Sequence, residues 1–166
     1  MGNTKSLIDQ EAIEKIKEFA SEKICLFCTY EDEGIESRPM STQAVDEDGT
    51  LWFFSNKTSH KNKQLKLDRR VYLMYMETGK VHYLSLSAMA EIVVDKEKAK
   101  ELWNPFVKAW FEQGVDDPDL TLIKVTPSEG HYWDTKHGKL VNMIQIATAA
   151  VTGKKMEVGV EGDIKP

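Results

Sequence analysis

The chain has 166 residues, a formal net charge of −5, 41% apolar residues and 30% charged residues. That is the mix of a single globular domain, and a domain of this size buries about 70% of its unfolded surface without disulfide or metal support. The acidic balance argues against a general binder of nucleic acid or anionic membrane, and no apolar run approaches the roughly 20 residues that cross a bilayer.

Ile8, Ala12, Ile16, Phe19 and Ala20 recur on one face, which predicts an amphipathic helix over 7–22 with Ser6 as its cap. A β-rich run at 24–30 follows and holds both cysteines, Cys25 and Cys28. A C-x-x-C can be a redox or metal motif. On a strand, however, residues three apart point to opposite faces, so these thiols read as buried and inert. EDEG (31–34) is a turn, 35–45 reads as a second strand, and DEDG (46–49) turns the chain into a third strand at 50–56. A short helix at 60–67 opens at Ser59. Strands at 70–77 and 81–94 flank the turn ETGK. In the long second strand His82, Leu84, Leu86, Ala88, Ala90, Ile92 and Val94 face a core, while Tyr83, Ser85 and Ser87 form an aromatic and hydroxylated face. Such a face suits a subunit interface or a ligand wall.

Residues 96–111 carry a helical stripe of Ala99, Leu102, Trp103, Phe106, Val107 and Trp110, which Pro105 divides into two helices with Asn104 capping the second. Strands at 120–126 and 129–134, separated by Pro127, complete a domain over 1–152. The Gly- and Lys/Glu-rich residues 153–166 read as a poorly ordered tail. The expected fold is mainly β (α+β), with about six or seven antiparallel strands closed into a small barrel and flanked by helices, since closure removes sheet edges.

Two stretches could carry chemistry. IESRPMSTQAV (35–45) places Arg38, Met40 and Thr42 on one strand face. Arg38 is then either a surface ion pair on an edge strand marked by Pro39 or a fork aimed at a phosphate. WFFSNKTSHKNKQL (52–65) runs from aromatics into a helix start at Ser59, whose free N–H groups attract phosphates. Lys61 in the first turn disfavours the helix unless an anion lies between them. The DEDG hairpin should make the two strands neighbours and bring Arg38 near Ser59 and Lys61, with Phe53, Phe54 and Ser55 beside them. That is an anion clamp next to an aromatic wall, as a phosphorylated planar cofactor needs. The plain alternative is a solvated basic face over Lys57–Arg70, and a barrel binding nucleic acid through that face is a further reading. His131 and His137 match no metal spacing, and no metal site is expected.

The order R-P-M, then W-F-F-S-N-x-x-S-H-K-N-x-Q-L, then a long strand ending A-E resembles the pyridoxamine 5′-phosphate oxidase-like FMN-binding split barrels. WNPFVKAWFEQGVDDPDLTLIKVTPSEGHYWD (103–134) looks like the branch called general stress protein 26, and the resemblance runs from residue 7 to 152. It implies a Greek-key split barrel and a cytoplasmic homodimer with FMN between its subunits. It also implies oxidoreductase chemistry in which the flavin does the work. A non-enzymatic flavin-binding stress protein is the alternative, and related barrels hold FAD, deazaflavin or haem. Carried over by position, Arg38 meets the FMN phosphate and ribityl, and the Met40 backbone faces the flavin. Phe54 and Ser55 meet the ring and ribityl, while Ser59, His60 and Lys61 form the phosphate clamp. His60 stands where the family has an arginine, so phosphate affinity should fall as pH rises. Tyr83 and Ser85, with Trp133, come from the neighbouring subunit. No catalytic side chain is implied. The oxidase itself carries an arginine soon after that tryptophan, where this chain reads HGKLVNMIQ (137–145), so a vitamin B6 oxidase is not expected.

Overall fold

The computed structural model describes residues 3–135 and 159–166. In chain order its elements are β1 (Asn3–Thr4), β2 (Leu7–Ile8), α1 (Asp9–Ala20), β3 (Ile24–Glu31), β4 (Gly34–Ser41), β5 (Ala44–Val45) and β6 (Leu51–Asn56). They continue with α2 (His60–Leu67), β7 (Arg70–Glu77), β8 (His82–Val93), α3 (Lys96–Leu102), two short 3-10 turns, β9 (Leu120–Asp134) and β10 (Val160–Lys165). The barrel strands pair antiparallel: β4 with β3, β3 with β7, β7 with β8, β8 with β9, and β9 with β6. Beyond β4 the chain forms β5, which pairs with β6 and brings the two ends of the barrel sheet together. The terminal strands β1 and β2 run parallel to β10, so the sheet is mixed.

Strand periodicity decides what lies inside. Phe27, Leu73, Leu86 and Ile123 fill the barrel, and Phe27 meets Phe53 edge-on at 5.2 Å between ring centroids. Each such side chain contributes about 1.5–3 kcal/mol on burial. Helix α1 adds Ala12, Ile16, Phe19 and Ala20 to this core. A second, smaller cluster lies on the other face of β6 and β9, where Trp52 and Leu122 meet Ala99, Leu102 and Phe111. Both cysteines are buried on β3, and burial pushes the Cys25 thiol up to about 12.

Four expectations change. Ser6 does not cap α1: Leu7 and Ile8 pair with Ile164 and Lys165, the helix begins at Asp9, and Ile8 is exposed. Residues 160–165 are a strand rather than loose tail, because β9 offers them an edge to pair with. Pro127 does not divide β9. A bulge at Ser128 absorbs it, with Ser87 opposite Glu129 and Ala88 opposite Pro127. Phe106 and Trp110 leave the predicted stripe and are 86% and 81% exposed. The reason is local: Asn104 Oδ1 accepts from the N–H groups of Phe106 and Val107 as expected, but the turn it caps is a 3-10 turn with a different facing. His137 and 137–145 lie outside the described residues.

Candidate functional site

Arg38 stands on the edge strand β4 and faces inward, opposite Phe27. An inward guanidinium needs polar partners. Nη1 donates to Thr29 Oγ1 at 2.8 Å, Nη2 donates to Gln64 Oε1 at 3.1 Å, and Nη2 lies 3.2 Å from Glu36 Oε1. Gln64 is buried on α2, so Arg38 reaches the helix that carries Ser59, His60 and Lys61. The route differs from the one the DEDG hairpin implied. That hairpin pairs only Ala44–Val45 with Leu51–Trp52, while Gly34–Ser41 pairs with β3, and it is α2 lying against β3 that brings Arg38 to the helix.

Ser59 caps α2, its Oγ accepting from Asn62 N at 3.4 Å. Lys61, in the first turn of the helix, is half-buried. Desolvation lowers its ammonium pKa from 10.5, the Arg38 charge lowers it further, and among the described residues no carboxylate offsets either. His60 turns elsewhere: its Nε2 lies 2.9 Å from Glu31 Oε1 and 3.3 Å from Glu36 Oε2. Glu36 is held below the usual carboxylate range by the hydrogen bond from Gln64 and then by Arg38. One ligand-type atom each from Glu31, Glu36 and His60 lie within 4.8 Å of one another, all on exposed side chains already engaged in ion pairs. They border a groove of about 950 Å³ whose carboxylates Glu31, Asp32, Glu33, Glu36 and Asp68 disfavour an anion, and neither Arg38 nor Lys61 lines it.

The adjacent pair Phe54 and Ser55 divides between the two faces of β6. Phe54 packs edge-on against Trp103 at 5.9 Å in the second cluster, away from Arg38. Ser55 points inward, where its hydroxyl lies 2.7 Å from Thr121 Oγ1. Thr121 gives its proton to the Ser55 carbonyl, so Ser55 Oγ is the donor in that pair, and Asn62 Nδ2 donates to the same Thr121 oxygen at 3.0 Å. Asn62 Oδ1 is buried with no donor among the described residues. Met40 packs against the main core from β4.

Tyr83, Ser85 and Trp133 lie on the opposite face of the sheet from Arg38. Met76, Tyr83 and Trp133 form one cross-strand row, and Met74, Ser85 and His131 form the next. Trp133 faces out only because the Ser128 bulge shifts the alternation, turning Tyr132 inward beside Leu84. The ring of His131 lies 4.4 Å from that of Trp133, and its Nδ1 lies 2.9 Å from Asp163 Oδ1. This face exposes Ile24, Leu26, Met76, Met89 and Trp133, with Ile24 at 68% and Met76 at 61%. Within one chain, Arg38 and Met40 are thus on one side of the sheet and Tyr83, Ser85 and Trp133 on the other.

Residues 11–157 match the model of the family described as pyridoxamine 5′-phosphate oxidase like. The chain belongs to that family. Among solved structures, a Jannaschia sp. CCS1 protein assigned as a general stress protein 26 aligns with a TM-score of 0.76 over 95% of this chain and 96% of its own, at 24% identity. A general stress FMN/FAD binding protein from Xanthomonas citri aligns with a TM-score of 0.64 over 78% of this chain and 89% of its own, at 25% identity. Protein bli-3 of Neurospora crassa is 28% identical over 131 residues, which are 74% of this chain and 63% of that protein. The chain therefore spans less than two thirds of that relative. Family membership and the neighbours agree with a split barrel. Sequence reasoning missed Glu36, Gln64, Asn62 and Thr121. The signal for Asn62 and Gln64 was their fixed place in S-H-K-N-x-Q-L, while the lysines of KNKQL make the segment read as solvated, and the structure buries both residues.

Proposed function

We propose that this family member is a dimeric flavoprotein that binds FMN and uses it for redox chemistry. The observation that carries the reading is two cations converging on α2: Arg38, which reaches Gln64, and a half-buried Lys61 in the first turn without a carboxylate among the described residues. Glu36 offsets the Arg38 charge alone, so two like charges near one another in partial burial still favour an anion that meets both. Ser59 and the first turn of α2 add N–H groups and the positive end of the helix. A phosphate monoester carries about two negative charges at neutral pH and accepts several charged hydrogen bonds, so it meets this need. The exposed apolar face supports a homodimer, because a second subunit covering it would bring its own Tyr83, Ser85 and Trp133 to the seam. The flavin, when bound, supplies the hydride chemistry. The residues of the chain orient it and hold its phosphate.

Purified protein should carry a flavin spectrum or acquire one on titration. Arg38→Ala should weaken FMN by roughly 10- to 100-fold, since it removes charged hydrogen bonds. Lys66→Ala, on the solvent face of the same helix, should leave binding unchanged. Equal affinities of the two variants by fluorescence titration would discredit the site. Anaerobic addition of NADH or NADPH then tests catalysis. Absence of flavin reduction by either, and of turnover with any acceptor, would leave a flavin-binding protein without redox turnover.

A further inference from the structure

Arg38 is not free in this structure. Glu36, two residues away on the same strand face, sets Oε1 at 3.2 Å from Nη2, one of the two terminal nitrogens of the guanidinium. Its other oxygen, Oε2, accepts from Gln64 Nε2 at 2.6 Å and lies 3.3 Å from His60 Nε2. Gln64 holds the arrangement from both ends: its Oε1 accepts from Thr29 and Arg38 while its Nε2 binds Glu36. One carboxylate thus bridges two residues that the family pattern assigns to phosphate, Arg38 and His60, and leaves Lys61 untouched. A carboxylate and a phosphoryl group use the same guanidinium donors with nearly the same geometry. They also repel one another when both are charged.

We propose that Glu36 is a built-in competitor for the phosphate, occupying the Arg38 guanidinium until a phosphorylated ligand displaces it. The proposal rests on the reading of Arg38 and Lys61 as a phosphate site. Binding exchanges the Glu36–Arg38 contact for a phosphoryl–Arg38 contact, while Glu36 keeps Gln64 and His60. The exchange lowers affinity for every phosphorylated ligand and leaves affinity for the unphosphorylated ring unaltered. Glu36 thereby sets how strongly the protein prefers FMN over riboflavin.

The test is a fluorescence titration of wild type, Glu36→Gln and Glu36→Ser with FMN and with riboflavin, which shares the ring and lacks the phosphate. Both variants lie on an exposed strand edge and should keep the wild-type circular dichroism spectrum. Removing an ion pair of this exposure should tighten FMN by about 2- to 5-fold, with riboflavin unchanged in both variants. Unchanged or weaker FMN binding in the variants, with wild type binding FMN more tightly than riboflavin, overturns the competitor role and spares the phosphate site. A parallel gain for riboflavin overturns it too, since the effect would then lie outside the phosphate. Wild type that binds FMN no better than riboflavin overturns the phosphate reading and the competitor together.

Discussion

At the scale of single residues, Lys61 is where the site can be measured most directly. Its ammonium is penalised by burial and by Arg38, so in the folded chain its pKa lies below 10.5. In the window beneath 10.5 the unfolded chain therefore binds more protons than the folded one, and the Lys61 contribution to stability rises with pH there. A bound phosphate dianion reverses the penalty by favouring the charged form. FMN binding at alkaline pH should then be coupled to proton uptake. Titration calorimetry in two buffers of different ionisation enthalpy should detect it, and Lys61→Met should abolish the difference between buffers. An unchanged difference in that variant would place the phosphate elsewhere. The Ser55, Thr121 and Asn62 triangle works differently: it spends the Ser55 hydroxyl on internal bonding. In this arrangement the Ser55 side chain has no proton left to donate to a ligand.

At the scale of elements, the β8–β9 pair decides the outer face. Gly130 sits opposite Leu86, and a Cβ there would come within 2.3 Å of the Ser85 carbonyl oxygen. The neighbour is backbone, so nothing cheap can yield. Gly130→Ala should cost at least about 1–3 kcal/mol as an overpacked strand contact, read from urea denaturation. It should also disturb Ser85 and His131, which form the adjacent row. A loss below the error of the measurement would mean that the two strands separate easily. Helix α1 is tied to the same region by Lys15, whose Nζ lies 2.9 Å from Asp134 Oδ2, while His82 Nε2 lies 3.1 Å from Asp134 Oδ1. The stacking of His82 on Phe19 at 4.6 Å completes this attachment of α1 to the sheet.

At the scale of the whole molecule, the exposed row of Met76, Tyr83 and Trp133 separates a lone barrel from a paired one. A sheet face with Ile24, Leu26, Met76, Met89 and Trp133 in contact with water is costly, and a second copy would remove that cost. Met76→Glu should leave the fold intact, since the side chain points away from the core. It should shift the protein from dimer to monomer in sedimentation velocity and lower flavin affinity with it. A dimer that survives this substitution, or a monomeric wild type that binds FMN, would remove the shared seam. No helix among the described residues is long and apolar enough to cross a membrane. The basic run after β6 is partly neutralised within the chain, Arg69 by Glu91 and Arg70 by Asp68.

What could be read in advance was local. The alternation of Leu84 and Leu86 with Tyr83 and Ser85 needs only the two-residue period of a strand, and the Asn104-Pro105 break needs only the geometry of proline. The Ser59 cap, the inert thiols and the barrel class were legible for the same reason, and the family pattern followed from motif order. The tertiary structure alone decided which strand lies beside β4, where the Ser128 bulge reverses inside and outside, that residues 160–165 complete an edge, and that Glu36 sits on Arg38. Those outcomes depend on segments far apart in the chain competing for the same edges and the same donors. The winner is set by the free energy of the assembled sheet, which no window of neighbouring residues contains.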